Sequence, residues 1–172
     1  MRRSCVAALL VLAGCAPRAA DAPAESAGPP AARRQIWEAV QPMAAMRGID
    51  PLFVYAVIAV ESHFDPHARR GEARGLMQIK PRAWTAVSDI PYETAVWDWR
   101  TNLAVGIDGL ARIKAELAGR GVFSYPLLWA AYHHGLDFVE ARGFDMSRVP
   151  RPSDPLARRL WSGEIHPVNP PN

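Results

Sequence analysis

Glu61 is the residue of this chain best placed to do chemistry. The run Leu52 to Val60, apolar throughout, precedes it, and on a helix it shares a face with Val57 and Ile58, so part of its hydration must be lost. A carboxyl group short of water favours its neutral form, and an acid that keeps its proton near neutral pH can hand it to a leaving oxygen. From position alone, a helix-end glutamate that reaches solvent or caps a backbone is the more ordinary reading. The histidines offer a second chemistry, metal binding, but the spacing argues against it. His63 and His67 are four apart with Pro66 between them, which interrupts the helix that would align them, and the pattern is not His-Glu-x-x-His. His133 and His134 are adjacent and would diverge by about 100° on a helix. No metal and no cofactor are expected.

The elements that must position Glu61 read as helices. Asp50-Pro51 supplies an N-cap and a first-turn proline for the run ending at Glu61, and a helix apolar on every face is a buried central one. Ahead of it, Ile36, Val40, Met43 and Met46 share a face and Gly48 ends the segment. Leu103, Ile107, Leu110, Ile113 and Leu117 recur at helical spacing before Gly119, which predicts the longest amphipathic helix. Ser124 caps a further helix through Pro126 to Tyr132 that closes at Gly135. No convincing strand pair is visible. With 172 residues, 49% apolar and 22% charged, the chain suits one mostly α domain.

The ends are different in kind. Met1-Arg2-Arg3 followed by the apolar run Cys5 to Leu12 reads as a secretory signal, too short for the roughly 20 residues of a spanning helix. Leu12-Ala13-Gly14-Cys15 resembles the lipobox of bacterial lipoproteins, which implies cleavage before Cys15 and lipidation of its thiol; an ordinary signal peptide cut nearby is the alternative. Ala16 in the following position implies an outer-membrane anchor, on the periplasmic side of the envelope. The divisions expected are a signal peptide over 1–14, a flexible tether over 15–32, a folded domain over 33–148 and a proline-rich arm over 149–172, with one helical turn where Asp154 caps, Pro155 starts and Leu156 to Trp161 follow. The formal charge of +3 falls further when Arg2 and Arg3 are removed, too mild to argue for nucleic acid. With both cysteines in the first 15 residues, disulfide and thiol chemistry is excluded from the folded part.

Four blocks in order carry a family resemblance: Glu61-Ser62-His63-Phe64-Asp65-Pro66-His67-Ala68, then Gly75-Leu76-Met77-Gln78, then Asn102 and Gly106, then Ala130-Ala131-Tyr132-His133-His134-Gly135. Together they resemble the soluble lytic transglycosylase (SLT) domain, a lysozyme-like family. The resemblance implies a lysozyme-like fold with Glu61 as the catalytic residue on the buried helix, acting as acid and then as base. The implied reaction is non-hydrolytic cleavage of the β-1,4 bond between N-acetylmuramic acid and N-acetylglucosamine in peptidoglycan, leaving a 1,6-anhydro end. It further implies substrate contacts from Ser62, Met77, Gln78, Tyr132 and His133, with the Tyr132 hydroxyl near Glu61, and peptidoglycan strands as the partner. Asp65 reads as structural, since Pro66 points to a turn. Among the tryptophans, 84, 97, 99, 129 and 161 could stack on sugars, though most are expected in the core.

Three departures from the pattern matter. His133 stands where the motif has asparagine, introducing a titratable group. The loop from Arg69 to Arg74 is about one residue short, and Glu72 stands where a glycine is usual. They keep two alternatives open: a goose-type-lysozyme-like hydrolase of the same fold, and a glycan-binding or envelope assembly protein without turnover.

Overall fold

The computed structural model describes residues 30–171. The signal sequence, Cys15 and most of the tether lie outside the described residues. Among the described residues the chain forms eight α-helices, one 3-10 turn and a two-stranded hairpin.

Helix α1 (Pro30–Met46) starts three residues inside the expected tether and buries Ile36, Val40 and Ala44. Gly48, at φ 63°, then turns the chain into α2 (Pro51–Ser62). Asp50 caps α2 with Oδ1, which accepts from the backbone N–H of Leu52 at 2.8 Å and of Phe53 at 3.3 Å. Every residue of α2 from Phe53 to Ser62 is buried, as a helix without a polar face requires. His63, in the left-handed region at φ 53°, ends it.

The hairpin is a correction to the sequence reading. Arg69–Arg70 (β1) pairs antiparallel with Ala73–Arg74 (β2), Arg69 opposite Arg74 and Arg70 opposite Ala73, with Gly71 turning at φ 58°. Two-residue strands are too short to display a period of two, so no alternation could announce them. The Arg74 guanidinium ties the turn by donating to the carbonyls of Gly71 and Ala73.

Two short helices, α3 (Pro81–Thr85) and α4 (Tyr92–Ala95), lead to the long α5 (Trp99–Gly119). The α5 stripe Leu103, Ile107, Leu110 and Leu117 is buried against the rest of the core. Ser124 caps α6 (Tyr125–His134) through Leu127 N–H, and α6 ends at Gly135, where φ is 103°. A short α7 (Leu136–Glu140) packs back on α6.

The arm is more regular than its prolines imply. Asp154 caps α8 (Pro155–Trp161), accepting from Ala157 N–H at 2.7 Å. Ala157 and Leu160 enter the core, and α8 packs on α6 and α2. His166 closes the arm onto the start of α2 by meeting Asp50 Oδ2 at 2.9 Å.

Burial by itself would raise the Asp50 carboxyl, but hydrogen bonds from His166 and from the Phe53 and Leu52 amides outweigh it and hold the group below its ordinary 3.8. A depressed folded value means stabilisation that is complete above that ordinary value and lost as pH falls through the folded one. Asp50→Ala is therefore expected to destabilise the protein by about 1 kcal/mol at neutral pH. Urea melts of the two proteins should converge as the pH is taken below about 4.

Candidate active site

A cleft of about 580 Å³ opens between the end of α2, the hairpin, α5 and the end of α6. Glu61 lies in it at 5% exposure. The side chain is thus almost wholly removed from water, and its two oxygens meet different groups. Oε1 is 2.7 Å from His133 Nδ1, and Oε2 is 3.7 Å from the Arg70 guanidinium, which also donates to the Glu61 carbonyl at 3.3 Å. A carboxyl group this enclosed requires such partners, because an unsatisfied one would be strongly disfavoured.

His133 is itself held. Its ring stacks on Trp129, one helical turn earlier on α6, at 5.3 Å between centroids and 14° between planes. His134 meets it edge-on at 4.8 Å and stacks on Phe138 of α7. Desolvation, then the charges of His133 and Arg142, push His134 below the ordinary histidine value, so it favours the neutral form beside its neighbour.

The cleft wall is built on Asn102 of α5. Its Oδ1 accepts from Met77 N–H at 2.8 Å, and its Nδ2 donates to the carbonyls of Val96 and Arg74 at 3.0 and 3.2 Å. Gly75, at φ 78°, lies so close that a Cβ there would come within 2.2 Å of Asn102 Nδ2. One turn along α5, a Cβ on Gly106 would meet Met77 Cγ at 2.6 Å. These approaches explain why glycines accompany the asparagine and the methionine.

Glu61, Gln78, Tyr132 and His133 all line the cleft. Two expected roles change. The Met77 side chain is fully buried, filling the space left by Gly106 instead of offering a surface to a ligand. Ser62 is buried as well, and its Oγ donates back to the Ile58 carbonyl at 3.2 Å, away from the cleft. The Tyr132 hydroxyl donates to the Met77 carbonyl at 2.8 Å, so it ties α6 to the wall while lying within reach of the Glu61 charge. Burial, and then the Glu61 charge, push that phenol well above its ordinary value.

Gln78, at φ 49°, spends Nε2 on the carbonyls of Gly75 and Ala68. Its Oε1 is buried without a hydrogen-bond partner among the described residues. Asp65 is structural, its Oδ1 accepting from His67 N–H at 2.8 Å. None of the five tryptophans singled out above lines the cleft; Trp84 and Trp129 are fully buried. Of the other acids at the cleft, Glu116 is paired with Arg112 and Arg120, and Glu72 sits at the hairpin turn.

Sequence reasoning offered Arg69, Arg70 and Arg74 as neighbours of Glu61 without choosing between them, and did not anticipate the Trp129 stack or the anchoring role of Asn102. A signal existed for one of them: Trp129 and His133 are four apart on a helix and must share a face.

The Transglycosylase SLT domain family model matches residues 38–143. The chain belongs to the transglycosylase SLT domain family. The X-ray structure of the lytic transglycosylase Slt from Pseudomonas aeruginosa, an inactive glutamate-to-glutamine mutant, is similar at 22% sequence identity with a TM-score of 0.53. That match covers 77% of this chain and 20% of the other, so this SLT-family chain spans about a fifth of the length of that enzyme. A comparison with curated proteins finds no match. The likeness shows the fold, a mostly helical, lysozyme-like domain.

Asn102→Ala leaves the buried Met77 amide and the buried Val96 carbonyl without their side-chain partner, while the Arg74 carbonyl keeps the Ile79 N–H. It should lower stability by about 3 kcal/mol, since an orphaned buried polar group costs about 1–3 kcal/mol and a cavity adds to it. Equilibrium urea unfolding checks this, and a loss well under about 1 kcal/mol would refute the anchoring role.

Proposed function

We propose that this SLT-family protein is a peptidoglycan lytic transglycosylase in which Glu61 acts first as general acid and then as general base. The observation that carries the reading is a single enclosed carboxyl group at the cleft, whose oxygens face a histidine and an arginine and touch no second carboxylate. Glycosidases with a paired mechanism use two carboxyl groups flanking the bond. The two other acids at the cleft are less enclosed, Glu116 being paired with Arg112 and Arg120 and Glu72 lying exposed at the hairpin turn; one enclosed acid suits a route in which the sugar itself supplies the nucleophile.

The geometry supports a division of labour between the two oxygens. With His133 Nδ1–H donating, Oε1 is held as an acceptor and the transferable proton sits on Oε2. From there it passes to the oxygen bridging N-acetylmuramic acid and N-acetylglucosamine as that C–O bond breaks. The carboxylate left behind is stabilised by His133 and by the Arg70 guanidinium. It then takes the proton of the muramic acid 6-hydroxyl as that oxygen bonds to C1, closing the 1,6-anhydro ring and restoring the acid. Atoms balance without water.

Digestion of purified sacculi followed by mass spectrometry tests the reading. Wild-type protein should release fragments whose ends lack one water relative to reducing sugars, and Glu61→Gln should release none. Reducing ends would instead establish the hydrolase alternative, and binding without release by both proteins would establish a non-catalytic one. His133→Phe keeps a ring for Trp129 but loses the Nδ1 contact; kcat should fall by at least about 10-fold with KM little changed, as expected when an acid–base group loses its orientation.

We also propose lipid attachment at Cys15 on the periplasmic side of the envelope, most simply the outer membrane. Among the described residues no helix is long and apolar enough to cross a membrane. Incorporation of radiolabelled palmitate into the wild type and not into Cys15→Ala is the expected result.

A further inference from the structure

A second cavity, of about 360 Å³, adjoins the cleft, and Arg70, His133 and His134 are walls common to both. Its far side is made by the C-terminal arm, with Pro150, Arg151 and Pro152. The charge of this cavity is lopsided. Two guanidinium groups, Arg70 and Arg151, line it against one acid, Asp154, alongside the imidazole rings of His63, His133 and His134. Asp154 is committed to capping α8 through Ala157 N–H. Arg70 shares its charge with Glu61. Arg151 is exposed and has neither an ion-pair nor a hydrogen-bond partner among the described residues.

We propose that this cavity is a subsite for a carboxylate carried by the glycan strand. The inference rests on the peptidoglycan reading of the cleft, and it goes further by naming the part of the substrate that is recognised. Every muramic acid bears a lactyl carboxylate, either free or extended by a peptide that ends in carboxylates of its own. A strand seated with its scissile bond at Glu61 must send the lactyl substituent of the adjoining muramic acid out of the cleft. The cavity beyond Arg70 and His133 receives it, and Arg151 supplies a planar, permanently charged guanidinium suited to a carboxylate. The prolines and Ala157 give that end an apolar lining. The arm therefore serves as a specificity wall as well as a cover for α2 and α6.

Binding to the Glu61→Gln protein tests this without turnover. Three probes are compared by titration calorimetry: a muramyl tetrasaccharide with free lactyl carboxylates, the same strand with those groups as methylamides, and the same strand carrying an alanyl-glutamate dipeptide. At least one carboxylated strand should bind about tenfold more tightly than the methylamide, the scale of a hydrogen bond to a charged group. Which one does so distinguishes the lactyl from the peptide carboxylate. Arg151→Gln should collapse the preference and Arg151→Glu should reverse it, with melting temperatures close to the parent because the side chain is exposed and has no hydrogen bond or ion pair among the described residues.

Equal affinity for all three probes, or a preference that survives in both Arg151 variants, overturns the proposal. Sacculi left undigested by wild-type protein, with the carboxylate preference intact, would sink the enzymatic reading and leave the subsite standing. No binding by any strand would remove both.

Discussion

The structure turns on the withdrawal of one carboxyl group from water. Glu61 lies in the last turn of α2, a helix with no solvent face, so its backbone cannot rotate the side chain outward without exposing the apolar residues that anchor α2. Enclosed in this way, the group depends on what surrounds it, and the surroundings come from elsewhere in the chain. His133 reaches it from α6 and Arg70 from the hairpin. The packing of three separate elements thus sets the chemistry available at one atom.

Much of the remaining polar structure keeps those elements in register. Asn102 is buried deep in α5 and uses its whole amide on the backbone of the cleft wall, joining Met77, Val96 and Arg74. Tyr132 fastens the other side through the Met77 carbonyl. Met77 is thereby clamped between two helices, its side chain seated over Gly106. The polar residues around the cleft are largely consumed by the scaffold, Gln78 among them through the carbonyls of Gly75 and Ala68.

His133 gives this member of the family a site with its own electrostatic character. An asparagine in that place can donate and accept but never carries charge; an imidazole stacked on Trp129 can do all three. Its ring neighbour His134 is biased toward neutrality, which keeps two adjacent charges from accumulating. The arm extends the same theme, adding Arg151 beyond His133 and closing on the N-cap of α2 through His166.

The helices that carry the site were legible in the sequence because each has a local cause: an Asp50-Pro51 start, a nine-residue apolar run, a stripe at helical spacing, a Ser124 cap and a Gly135 stop. Glu61 was legible for the same reason, being the first charged residue after that run. The hairpin escaped because two-residue strands have no period, whereas the Asp154 cap and Pro155 start marked α8 through Trp161. Roles at the cleft were legible in part. Glu61, Gln78, Tyr132 and His133 line it, while Ser62 and Met77 turn into the scaffold and the Tyr132 hydroxyl meets a backbone carbonyl. Local sequence determines which backbone conformations form and which faces must be buried, since those depend on neighbours a few residues away. Which side chain meets which atom across 72 positions, as His133 meets Glu61, depends on how whole helices pack, and only the tertiary structure decides it.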